Sequence, residues 1–139
     1  MEHVLVAVDG MEGSLKAAAF ARDLGRRRQV KLTLLHVVEP HAGPLLAELG
    51  VSPSDFHSRE MDRARVLVRD LARELDIEDA VQVIETGAPS EVICHAADER
   101  GADHIVLGAH GLGKHARLML GSVSARVAAM SCRSVTIVR

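Results

Sequence analysis

At 139 residues the chain has the length of one domain, enough to bury roughly two thirds of its unfolded surface. Seventeen Lys and Arg stand against 19 Asp and Glu, and the resulting net charge of −2 gives no electrostatic case for a nucleic-acid partner. The opening residues lack a basic stretch followed by a long apolar one, and no run approaches membrane-spanning length, so the expectation is a soluble, cytoplasmic protein without a membrane partner.

In chain order, residues 3–8 form a continuous Val/Leu run, the pattern of a strand covered on both faces. Residues 12–26 place Leu15, Ala18, Ala19 and Leu24 at helical spacing, and Arg26, Arg27 and Arg28 complement the carboxyl end of that helix. A second buried strand is expected over 30–38. Residues 40–53, with Gly43, Pro44 and Gly50, read as a loop-like insertion over a pocket or toward a partner. From Ser54 to about Asp76 a helix carries an apolar stripe of Ala64, Leu67, Val68, Leu71 and Leu75. Residues 80–85 are strand-like. Pro89 suits the first turn of a further helix, with Val92, Ile93, Ala96 and Ala97 facing inward. A short interior strand at 104–107 precedes a helix at 122–130 with Val123, Val127 and Met130 on one face. Val135, Thr136, Ile137 and Val138 close the chain as a last strand. The alternation is that of an α/β protein, a Rossmann-like, doubly wound, five-stranded parallel sheet, in one domain spanning residues 1–139. Cys94 and Cys132 are too few and too far apart for a disulfide framework or a zinc site, and are expected to be small buried residues.

The segment from Gly108 to Ser122 joins a strand's carboxyl end to a helix's amino end, where α/β proteins hold nucleotide phosphates. Gly108, Gly111 and Gly121 permit positive φ and close approach of an anion to main-chain N–H groups. Ser122, in the first turn of the last helix, adds a hydroxyl donor. Gly108-x-x-x-x-Gly113-Lys114-His115 fails as a Walker A loop because His115 replaces the hydroxyl that would meet magnesium. Gly111-x-Gly113-x-x-Ala116 fails as a dinucleotide fingerprint because it follows a late strand and lacks the acidic residue about 20 positions on. With two Phe, no Trp and no Tyr, adenine would lie between aliphatic side chains, with Val8, Val37 and Val106 available, and be read by main-chain groups.

Gly108-x-x-Gly111, nine residues, then Gly121-Ser122 resembles the ATP-binding signature of the universal stress protein family. The stretch from Val4 to Gly10, Leu34-Leu35-His36-Val37, the segment from Gly87 through Pro89 to Ile93, and the closing Val135 to Val138 resemble the same family in the same order. The resemblance implies strand order 3-2-1-4-5, which sets Asp9 opposite the glycine loop across a crevice between the first and fourth strands. It implies that Ala7, Val8, Asp9 and Val37 surround adenine and ribose, while Gly108, Gly111, Gly121, Ser122 and Val123 hold ribose and phosphates. The implied cofactor is ATP, with or without Mg; AMP and cyclic AMP stay open. As a carboxylate, Asp9 suits ribose hydroxyls and repels phosphate; its alternative reading is a turn residue or a cap on the first helix. A homodimer through the last strand, with Thr136 facing the second copy, is also implied. Met11 and Ser134 depart from the Ser and Pro common at those positions, the second loosening the start of the last strand. His110, Lys114, His115 and Arg117 either fold over the phosphates or point to water.

No catalytic residue and no metal ligand is assigned. The leading reading is an ATP-binding stress-response regulatory protein whose occupancy orders the glycine loop and controls a surface read by a partner protein or the second subunit. The alternatives are a slow ATPase or phosphotransferase using Lys114 and an Asp9-held Mg, and a dimeric interaction scaffold that binds no nucleotide.

Overall fold

Apolar runs that cannot be exposed on either side dictate a sheet sandwiched between helices, and the computed structural model has that arrangement. It describes residues 2–40, 43–109 and 120–139. The elements are β1 (Glu2–Ala7), α1 (Glu12–Arg27), β2 (Val30–Val38), α2 (Gly43–Glu48), α3 (Pro53–Glu74), β3 (Val81–Thr86), α4 (Pro89–Glu99), β4 (His104–Gly108), α5 (Ser122–Met130) and β5 (Ser134–Val138). All five strands pair in parallel in the order β3-β2-β1-β4-β5, the order the family resemblance implies.

Strand parity divides the core. Val4, Val6, Leu32, Leu34 and Val106 pack under α1 and α3, while Leu5, Leu35, Ile105 and Leu107 pack under α4 and α5. The α3 stripe is as the spacing predicts: Ala64, Val68, Leu71 and Leu75 are buried and Leu67 packs against them. On α1 the fully buried face is Ser14, Ala17, Ala18 and Ala21, and Leu15, Ala19 and Leu24 only flank it. The helix lies close on the sheet: a Cβ on Gly108 would stand 2.6 Å from the Gly13 carbonyl carbon, and the inward face of α1 is made of small residues.

Several expectations are corrected. The 40–53 stretch contains α2, which buries Leu46 although Gly43 and Pro44 open it. Met130, the last residue of the short α5, is 45% exposed, and Val127 is the fully buried apolar residue of that helix. Val106 is fully buried on the α1 side and so is not available to a base. Cys132 is exposed, beyond the end of α5. Cys94 is half-buried, and burial, with the Asp98 charge beside it, pushes its thiol pKa up. Ser134 is the first residue of β5, in register with His104, so the missing proline leaves the strand's start paired.

At the amino end of the sheet, polar groups answer one another. His3 N–H donates to Asp103 Oδ2 at 2.8 Å, and Asp103 N–H donates to the His3 carbonyl at 2.8 Å. His3 Nε2 lies 2.8 Å from Thr33 Oγ1 inside the sheet's buried face. Burial, reinforced by the Lys31 charge, holds the His3 imidazole below its ordinary pKa.

Candidate functional site

The opposite edge of the sheet opens into a cavity of about 430 Å³ where β1 and β4 diverge. Ala7, Val8, Asp9, Val37, Gly108, Gly121, Ser122 and Val123 all line it. Gly111, the ninth predicted residue, lies outside the described residues, as do His110, Gly113, Lys114, His115 and Arg117. The structure therefore brings together segments a hundred residues apart. It adds Ser14, Glu39, Pro89 and Ser124, which the sequence reading did not assign to the site, along with the apolar Leu35, Ile93 and Leu107.

Each wall has a local cause. Beyond β1, Val8 N–H still reaches the Leu35 carbonyl at 2.8 Å, and the chain then turns at Gly10 with φ +82°. Asp9 Oδ1 accepts from Met11 N–H at 2.8 Å. Ser14 Oγ accepts from Asp9 N–H and donates to the Met11 carbonyl, both at 3.1 Å. Asp9 and Ser14 thus organise the start of α1, whose N-cap, Met11, has no side-chain cap bond. The turn reading and the cavity reading of Asp9 hold at once, since its carboxylate does the first while lining the second.

The opposite wall is α5. Gly121 N–H donates to the Ala109 carbonyl at 2.6 Å, and buried Ser124 Oγ donates to the same oxygen at 2.7 Å. Ala109 N–H in turn donates to the Val138 carbonyl of β5 at 2.9 Å. This knot fixes α5 while the N–H groups of Ser122, Val123 and Ser124 donate to no acceptor among the described residues. Three open donors at the positive end of a helix, all on residues lining one cavity, are the groups an anion cradle requires. Gly121 has φ −62° and Gly108 is not among the positive-φ glycines. Neither uses a left-handed backbone, and the value of Gly108 is clearance: a side chain there would strike Gly13 main chain.

Among the described lining residues the carboxyl side chains are Asp9, just past β1, and Glu39, just past β2, and none of the described lining side chains is basic. The lining thus combines side-chain acceptors with open main-chain donors at the start of α5. No cluster of three or more His, Cys, Asp or Glu side chains among the described residues is placed to hold a metal. None of the described helices is long and apolar enough to cross a membrane.

The universal stress protein family model matches residues 1–139. Universal stress protein YxiE of Bacillus subtilis (strain 168) is 32% identical over 144 residues, covering 98% of this chain and 97% of that protein. The solved structure of universal stress protein UspA from Lactobacillus plantarum has a TM-score of 0.83 at 26% identity, covering 99% of this chain and 97% of that one. A crystal structure of a universal stress protein in complex with cAMP has a TM-score of 0.72 at 27% identity, again covering 99% and 97%.

Proposed function

The chain belongs to the universal stress protein family, and on that premise we propose that it is a regulatory protein that binds an adenine nucleotide, ATP. Adenine and ribose lie against Ala7, Val8, Asp9 and Val37, with Asp9 accepting from ribose hydroxyls. Phosphates lie at Gly108, Gly111, Gly121, Ser122 and Val123. Occupancy orders the glycine loop and changes a surface read by a protein partner or by a second copy paired along β5, the strand at the sheet's edge.

The observation that carries this reading is the α5 amino end: three N–H groups without a partner among the described residues belong to residues lining a cavity that Asp9 also lines. Hydrogen bonds to a charged group are worth roughly 1.5–3 kcal/mol each, so this cradle holds phosphate with no cationic side chain from the described lining. The relative solved with cAMP supports the adenine nucleotide class. ATP is the reading's own choice.

Equilibrium dialysis of nucleotide-stripped protein against ATP, AMP, cyclic AMP and GTP is the test. Saturable ATP binding in preference to GTP is expected, and no adenine nucleotide bound at millimolar concentration rejects the proposal. Repeating the ATP arm with Mg and with a chelator decides whether metal accompanies the ligand. Sedimentation at micromolar concentration tests the β5 dimer, which a monomer would overturn.

A further inference from the structure

A parallel ladder that includes the bond from Val8 N–H to the Leu35 carbonyl continues, in regular geometry, with a bond from Val37 N–H back to the Val8 carbonyl. That second bond is not formed. The Val8 carbonyl lies instead 2.7 Å from His36 Nδ1. A carbonyl oxygen only accepts, so the imidazole donates and carries a proton on Nδ1. His36 shares the parity of Leu32 and Leu34, on the α1 and α3 side, whereas Leu35 and Val37 belong to the other face. The ring therefore takes the oxygen from the face of the sheet opposite Val37's side chain.

Val37 is left with open main-chain groups. On the far side of β2, Val38 accepts from Gly87 N–H, and main-chain groups alternate along a strand, so the N–H and C=O of Val37 point toward the space past β1. Neither has a partner among the described residues, and Val37 lines the cavity. A donor beside an acceptor matches the edge of adenine, which offers a ring-nitrogen acceptor next to an amino donor. We propose that His36 is a positioning residue for base recognition: by occupying the Val8 carbonyl it keeps the Val37 N–H and C=O available to the base. This rests on the nucleotide reading above.

The test uses His36→Leu, which removes the donor, and His36→Asn, whose amide nitrogen stands near the place of Nδ1. Without a donor at residue 36, Val37 N–H closes the ladder onto Val8. In nucleotide-free protein, hydrogen exchange at the Val37 amide is expected to be fast in the wild type and in His36→Asn, and slowed about tenfold or more in His36→Leu. ATP affinity is expected to fall roughly three- to tenfold in His36→Leu and to recover in His36→Asn. A Val37 amide already protected in the nucleotide-free wild type overturns the proposal, and that measurement stands even where His36→Leu does not fold. Unchanged exchange or unchanged affinity in a folded His36→Leu overturns it as well. Should the wild type bind no nucleotide, the proposed function fails, and with it the base-recognition role, while the exchange comparison still reports whether His36 keeps the Val37 amide open.

Discussion

The two ends of the sheet treat polar groups in opposite ways. At the amino end the main chain of His3 and the carboxylate and N–H of Asp103 satisfy each other, and the His3 ring is matched by Thr33. At the carboxyl end the N–H groups of Ser122, Val123, Ser124 and Val37 have no partner among the described residues. Polar groups that find partners within the fold contribute to stability, whereas donors left open on residues lining a cavity are available to a ligand. On the proposed function, stability and recognition are thereby assigned to opposite ends of one sheet.

The largest way to break that division is Gly108→Val. Its side chain would displace the Gly13 main chain, so a loss of about 3 kcal/mol is expected in denaturant unfolding, with loss of ATP binding. At the other end, Thr33→Val strips the buried His3 ring of its partner. It should cost about 1–3 kcal/mol and leave ATP affinity unchanged, and a parallel fall in affinity would show that the two ends are not separate.

The His3 ring also gives the amino end a pH signature. Its folded pKa is depressed by burial and by Lys31, so as pH falls below about 6.5 the unfolded chain takes up the proton first. The contribution of His3 is therefore complete above that pH and is lost as pH falls toward the folded pKa. Thermal unfolding between pH 7 and pH 5 should show the wild type losing more than His3→Gln. A steeper loss in the variant would reverse the sign argument. The smallest effect is expected from Ser122→Ala, which removes one exposed hydroxyl from the cradle while keeping its amides. ATP affinity should drop roughly two- to tenfold with no change in stability.

How much of this was legible in the residues depends on what each inference needed. Val4 to Val8 and Ile105 to Leu107 announce strands because continuous apolar runs have few other uses, and the α3 stripe has enough turns to fix its face. Parity is harder. Val106 and Leu107 are equally apolar, and only the positions of the covering helices decide which one turns away from the cavity. Helix α2 was hidden by Gly43 and Pro44, breakers in most contexts, which here stand at a helix start where proline's missing N–H costs little.

At the cavity, eight of the nine predicted residues come to one place, and their role toward a nucleotide is what the dialysis decides. Ser14, Ser124 and Glu39 went unnoticed. The two serines sit within the first turn of α1 and α5, where a hydroxyl can return to the preceding chain, and that offset was their available signal. Glu39 had none, because a carboxylate after a strand is ordinarily solvated. Positive φ is absent at Gly108 and Gly121 and is found instead at Gly10, while bulk is what Gly108 must avoid.

The pinning of Ala109 has a consequence for how such a protein can diversify. Its N–H is held by β5 and its carbonyl by both Gly121 and Ser124, so the chain departs from the sheet and re-enters α5 at neighbouring points whose spacing is fixed by three hydrogen bonds. The frame that presents the amides is thus held by bonds among Ala109, Gly121, Ser124 and Val138, and sequence changes that spare those bonds can suit the site to a new ligand or partner without redesigning the protein beneath it.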